Sequence, residues 1–266
     1  MGEKLTYAYE GQVCKYLDLN RQNDSAWMWF HGAMIEASTY SKALGLWARN
    51  YRVIAPDMPG FGDSPAPTEI WGWSDYAKYF SRMMKEMGWK NVVAAGHSFG
   101  GGVAAHLAAE NKQVSRLVLI DPAGVTDKPW GHFQQAVMEK MVKDWQENPQ
   151  MTLRINRDAI ADFLGKHPTN IPGMMKIIKR AITRKELELG NVDVPTLIMW
   201  GDKDEVLDPG LIQEWKKTIP QAVIKIVPGN HDWCLFKPET MVENAEDFVR
   251  ETIPHPSSPS QEKRET

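Results

Sequence analysis

The stretch Val92-Val93-Ala94-Ala95-Gly96-His97-Ser98-Phe99-Gly100 constrains this 266-residue chain more than any other. An apolar run ends in a serine flanked by glycines and passes directly into Val103-Ala104-Ala105-His106-Leu107-Ala108-Ala109, an alanine-rich segment that reads as a helix. A junction of this kind needs a turn too tight for side chains on either side. It leaves the serine hydroxyl exposed above a sheet, and it aims the following amide into the same space at a helix N-terminus. Gly-x-Ser-x-Gly alone is a weak signal, because glycine and serine abound in loops. Its flanks give it force here, since a strand and a following helix are where such a turn can be built. The geometry suits a nucleophile.

On both sides of this motif, apolar runs alternate with helical patterns, as in a mainly parallel sheet covered by helices on both faces. The strand candidates are 26–30, 52–55, 92–95, 116–120, 196–200 and 223–227, with 5–9 and 13–17 forming an N-terminal antiparallel hairpin around Glu10-Gly11-Gln12. Helical segments are expected at 39–49, 74–87, 99–110, 209–218 and 238–251. Ser74 and Asp75 can cap the second, and Pro209 and Pro238 suit first helical turns. From 125 to 191 the alternation stops. Phe133, Val137, Met141 and Trp145 recur every fourth residue, and 158–164 and 174–182 read as further helices separated by Pro168 and Pro172. We expect a core of 1–124 and 192–253, a helical cap at 125–191 lying over the serine, and a disordered tail at 254–266.

Composition narrows the function classes. With 42% hydrophobic and 24% charged residues there is ample material for a core. A net charge of -3 gives no electrostatic attraction for nucleic acid or an anionic membrane. Cys14 and Cys234 make no disulfide framework and read as two buried free thiols. The polar N-terminus and the absence of a bilayer-length apolar run predict a soluble, cytoplasmic protein.

A serine nucleophile needs a base, a group that orients the base, and donors for the developing oxyanion. His231, in Pro228-Gly229-Asn230-His231-Asp232 after the last strand, is the histidine in the right kind of place. His97 and His106 adjoin or follow the serine, His132 and His167 belong to the expected cap, and His255 to the tail. Two acids compete. Gly201-Asp202-Lys203-Asp204 follows one strand and Asp121-Pro122 another, and either loop can present a carboxylate.

With the order Ser, Asp, His, the chain resembles the α/β-hydrolase-fold superfamily over about residues 5–252, as a lidded serine hydrolase of the carboxylesterase or carbon–carbon bond hydrolase type. The resemblance favours Asp204 as the triad acid and keeps Asp121 as the alternative; Pro209 stands one residue later than the family's usual proline. It likens His31-Gly32 to the family's oxyanion loop, with His31 structural. The amides of Ala33 and Phe99 become oxyanion donors, with Met34 as the neighbouring alternative. Asp57-Met58-Pro59-Gly60-Phe61-Gly62-Asp63-Ser64 matches another recurring segment, without a catalytic role for Asp57 or Ser64. It implies catalysis by Ser98, Asp204 and His231 without metal or cofactor.

The implied reaction is hydrolysis of small-molecule esters with small to medium apolar acyl groups through an acyl-enzyme. Trp130, Phe133, Met138, Met141, Trp145, Met174 and Met175 are available to line the acyl pocket. Carbon–carbon bond hydrolysis, lactonase or thioesterase chemistry on the same triad are alternatives, as is a non-catalytic small-ligand-binding protein. The oligomeric state is not legible.

Overall fold

The computed structural model of the chain describes residues 2–125, 129–147, 149–150, 152–153, 171–183, 189 and 191–252. Eight strands form one sheet: β1 (Leu5–Tyr9), β2 (Gln12–Leu19), β3 (Ala26–Phe30), β4 (Arg52–Pro56), β5 (Val92–His97), β6 (Val114–Ile120), β7 (Thr196–Gly201) and β8 (Val223–Val227). They lie in the order β1-β2-β4-β3-β5-β6-β7-β8. The β1–β2 and β2–β4 pairs are antiparallel, and all the others are parallel. This is the expected fold class. The hairpin turn is shorter than expected: Glu10 and Gly11 both take left-handed backbone (φ 49° and 80°), and Gln12 already belongs to β2. Two residues of positive φ match the twist of the flanking strands.

Because the parallel strands are covered on both faces, their alternate side chains enter two different cores. Trp27 and Trp29 of β3 pack with Trp47, Val53 and Phe248, whereas Met28 and Phe30 pack with Ile54, Trp73, Phe80 and Leu107. The first core is closed by α1 (Ser41–Trp47) and by α8 (Pro238–Glu251). The second is closed by α2 (Trp73–Glu86), α3 (Phe99–Glu110) and α6 (Ile212–Thr218). A short helix, α7 (Trp233–Phe236), follows the loop after β8.

Details differ from expectation at several ends. Ahead of α1 runs a separate 3-10 turn, Ala37–Tyr40, and another, Pro209–Leu211, precedes α6. Asp75 caps α2 by accepting the Gly72 amide at 2.8 Å, while the Ser74 hydroxyl turns outward to Glu110. Pro238 takes the first turn of its helix, as read from the sequence.

Within 125–191, two helices are described, α4 (Trp130–Glu147) and α5 (Ile171–Thr183). α5 buries Met174, Ile177, Ile178, Ala181 and Ile182, an i, i+3, i+4, i+7, i+8 stripe. α4 overturns its expectation. Met141 and Trp145 are 41% and 50% exposed, as is Met138 at 63%, while Asp144 is buried. A step of four residues turns a helix by 400°, so a fourfold pattern drifts about 40° per step from the starting face. Lys140 and Asp144, seven and eleven residues after Phe133, return to that face instead. The helix expected at 158–164, together with Pro168, His167, His255 and the tail 254–266, lies outside the described residues. No helix among those described is long and apolar enough to cross a membrane.

Candidate active site

The turn between β5 and α3 is built by close backbone approach. A Cβ on Gly96 would stand 2.2 Å from the Gly100 carbonyl oxygen, and one on Gly100 2.2 Å from that of Phe30. Only glycine lets α3 start this close to the sheet. The cost falls on Ser98, held at φ 52° and ψ -117°, a conformation that persists in an ordinary residue only when its surroundings impose it. The Phe99 amide next to it is the first of a helix and has no acceptor within that helix.

Ser98 Oγ lies 2.9 Å from His231 Nε2, and His231 Nδ1 lies 2.7 Å from Asp204 Oδ2. The other oxygen of Asp204 accepts the amides of Val206 at 2.9 Å and Leu207 at 2.8 Å, which fixes the carboxylate plane. With a carboxylate facing Nδ1, that nitrogen carries the proton and Nε2 is left to accept from the serine. Burial pushes the His231 imidazole toward lower pKa, but the Asp204 carboxylate, aided by Asp232, outweighs it and leaves the net shift upward. The alternative acid is engaged elsewhere. Asp121 Oδ1 accepts the Gly201 amide and its Oδ2 the Trp233 indole, each at 2.7 Å. Full burial, then the neighbouring Asp204 charge, push Asp121 well above the usual carboxylate range.

Two further histidines brace the loops. His31 accepts the Met58 amide at Nε2 (3.0 Å), so its Nδ1 donates to the Gly32 carbonyl at 2.7 Å. His97 faces away from Ser98. Its Nε2 donates to the His231 carbonyl at 2.9 Å, and its Nδ1 therefore accepts from the Tyr40 hydroxyl at 2.6 Å. Tyr40 in turn accepts the Gly32 amide at 3.2 Å. Burial lowers both imidazoles to about 4, so both are neutral near pH 7. A continuous buried relay thus ties the loop after β3 to the loop that carries His231. Nothing in the sequence around Tyr40 marks it for this.

A cavity of about 20 Å³ opens at Ser98, lined by Ala33, Phe99 and Leu207 from the sheet side and by Phe133, Ile178 and Ile182 from α4 and α5. Ala33 reaches it, whereas Met34, at φ 65°, is 40% exposed. Of the seven side chains expected to line it, Phe133 does so; Met138, Met141 and Trp145 face solvent. The α5 side chains that line it are Ile178, Ala181 and Ile182 rather than the expected Met174 and Met175, although their helical spacing is legible.

Among the described residues, two clusters hold metal-ligating groups, His97 with His231 and Asp232, and Glu36 with Asp57 and Asp63. The second is filled by the Lys4 ammonium, 3.0, 2.5 and 2.7 Å from the three carboxylates. In the first, each group is committed to a protein partner. Asp57 also accepts the amides of Ala37 and Asp63, and Ser64 donates to the Asp57 carbonyl, which braces this segment under the loop after β3. Cys14 and Cys234 are free and buried.

Comparison with known proteins places these features in context. Residues 23–163 and 161–238 match the family described as alpha/beta hydrolase fold. Lipase 1 of Psychrobacter immobilis is 26% identical over 253 residues, covering 84% of this chain and 73% of the lipase. A non-heme haloperoxidase of Rhodococcus erythropolis is 26% identical over 252 residues, covering 84% of this chain and 91% of its own. Among solved structures, a thermophilic esterase from Thermogutta terrifontis superposes with a TM-score of 0.76 at 19% identity, over 94% of this chain and 99% of that one. An enol-lactonase from Burkholderia xenovorans gives 0.77 at 18%, over 92% and 100%.

Proposed function

The chain belongs to the alpha/beta hydrolase fold family, and from that premise we propose that it is a serine hydrolase of carboxylic esters with small to medium apolar acyl groups. The observation that carries this is the unbroken hydrogen-bonded chain Ser98–His231–Asp204, opening on an apolar cavity.

In this reading Ser98 attacks the ester carbonyl as His231 Nε2 takes its proton, and Asp204 stabilises the imidazolium. The amides of Ala33 and Phe99 hold the oxyanion, each worth about 3 kcal/mol in the transition state. His231 then gives its proton to the leaving alcohol, and the acyl-enzyme is released by a water that the same imidazole deprotonates.

The cavity of about 20 Å³ has room for roughly one water, so an acyl chain enters when α4 and α5 yield. In this reading α4 and α5 act as a cap, with Ile178 and Ile182 as the side chains that meet the acyl group. A lipase and an esterase among the similar proteins favour oxygen esters.

A panel of para-nitrophenyl esters of rising chain length tests the proposal. Turnover of the shorter members, abolished in Ser98→Ala along with labelling by a fluorophosphonate, is expected. Folded protein that turns over none of them and resists the probe refutes it, and labelling without ester turnover transfers the assignment to lactone, thioester or carbon–carbon substrates.

A further inference from the structure

The inner face of α4 carries charges that the proposed reaction does not use. Lys140 Nζ lies 2.7 Å from Asp144 Oδ2 and pairs with Asp232 Oδ2. Asp144 Oδ1 accepts the Asn230 amide group at 2.6 Å, and Asn230 Oδ1 accepts the Asp232 backbone amide at 3.0 Å. Asn230, Asp144 and Asp232 are each no more than 6% exposed. One turn of α4 thus grips the residue before His231 and the residue after it.

Stability alone does not account for this arrangement. Removing such ions from water costs several kcal/mol each, and an apolar face packed at the same place is often as stable or more so. What an ion cluster supplies is register, because its geometry is satisfied in one alignment only. The cluster also bears on the imidazole directly: two carboxylates and one ammonium leave one net negative charge beside it.

Resting on the triad reading above, we propose that Lys140 is a positioning residue: from α4 it holds Asp232 directly and Asn230 through Asp144, and so sets where the imidazole stands relative to Ser98 and how much negative charge it meets. The charged and titratable groups around that imidazole come from every side. They are Asp204 and Glu205 from the loop after β7, His97 from the serine turn, Asp232 from its own loop, and Lys140 and Asp144 from α4. Of these, Lys140 is the one whose charge opposes protonation and whose removal also leaves two carboxylates uncompensated. The cap is then fastened at the histidine loop, and Lys140 couples its docking to the readiness of the base.

The test is the acid limb of kcat/KM in Lys140→Met, Lys140→Arg and Asp232→Asn, alongside an NMR titration of the His231 imidazole in the full chain. Lys140→Met removes a positive neighbour, so protonation becomes easier and the limb moves to higher pH by about one unit, with kcat lowered and KM little changed. Lys140→Arg restores the limb to the wild-type position, and Asp232→Asn moves it to lower pH. A packing role would lower activity or Tm without moving the limb.

If Lys140→Met does not fold, the opposite shift in Asp232→Asn decides. An unmoved limb and imidazole titration in the folded variants overturn the inference, as does an arginine variant that shifts as far as methionine. Failure of the triad reading looks different. Wild-type protein then turns over no ester, or Ser98→Ala remains active, while the imidazole titration still reports on Lys140.

Discussion

Replacing Asp204 by asparagine inverts the hydrogen bonding of the base, and the structure shows why the amide has no way round it. Asp204 Oδ1 accepts two backbone amides, from Val206 and Leu207. In Asp204→Asn the carbonyl oxygen must stay with these donors, so the NH2 group faces His231 Nδ1. That nitrogen then has to accept, and the proton moves to Nε2, the atom that must take the proton of Ser98. A wrong tautomer of this kind costs about 10⁴ in kcat in the chymotrypsin family, or about 5 kcal/mol of transition-state stabilisation. We expect a loss of roughly 10³–10⁴ in kcat/KM on a short para-nitrophenyl ester. The acid limb, where still measurable, moves to lower pH, because burial then outweighs the charge that raised the imidazole.

The paired control is Asp121→Asn. Its amide nitrogen must face either the Gly201 amide or the Trp233 indole, both of which need an acceptor. One buried donor loses its partner, at about 1–3 kcal/mol of stability, with kcat/KM held within about tenfold. Thermal melts and steady-state kinetics on the two variants separate the outcomes. An Asp204→Asn enzyme that keeps more than a tenth of its activity while Asp121→Asn collapses refutes the assignment and moves the acid to the neighbouring strand.

Tyr40→Phe leaves the Gly32 amide and His97 Nδ1 without their shared partner, so Tm falls with a loss of about 1–3 kcal/mol and kcat falls as the two loops loosen; an unchanged Tm contradicts the relay. Stability should also drop on mild acidification. Unfolded histidines bind a proton below about pH 6.5, whereas His31 and His97, pushed down by burial, do so in the folded state near 4. Each therefore removes about 1.4 kcal/mol per pH unit as pH falls through that window, and a Tm flat from pH 6.5 to 4 speaks against their neutrality. Ile182→Ala widens the space over Ser98 and shifts the preferred ester toward longer acyl chains, read as the chain length of highest kcat/KM; a lower activity at unchanged preference places the acyl group elsewhere.

Elements whose causes are local can be read along the chain. Glycines at 96 and 100 around a serine require the tight strand-to-helix turn, Glu10-Gly11-Gln12 marks the hairpin, and apolar runs bounded by loops mark the strands. Because parallel strands place their C-terminal ends along one edge, the loops carrying Ser98, Asp121, Asp204 and His231 were legible as neighbours. Tertiary structure decided which of them touch. Ser98 and His231 stand 133 residues apart, and Asp121 and Asp204 end adjacent strands. The choice between the two acids lies in the path of the loop after β7, whose amides at Val206 and Leu207 turn Asp204 toward the imidazole.

The same holds for α4. Its pattern named a helix, but a spacing of four drifts around the axis, and the face turned inward was fixed by partners far away in sequence, Asn230 and Asp232. Tyr40 and Lys140 carry no mark in the chain because their roles are made entirely of contacts between distant loops. Short-range sterics can be read along a sequence. A buried hydrogen bond between segments a hundred residues apart exists only once packing has brought donor and acceptor together and excluded water from both.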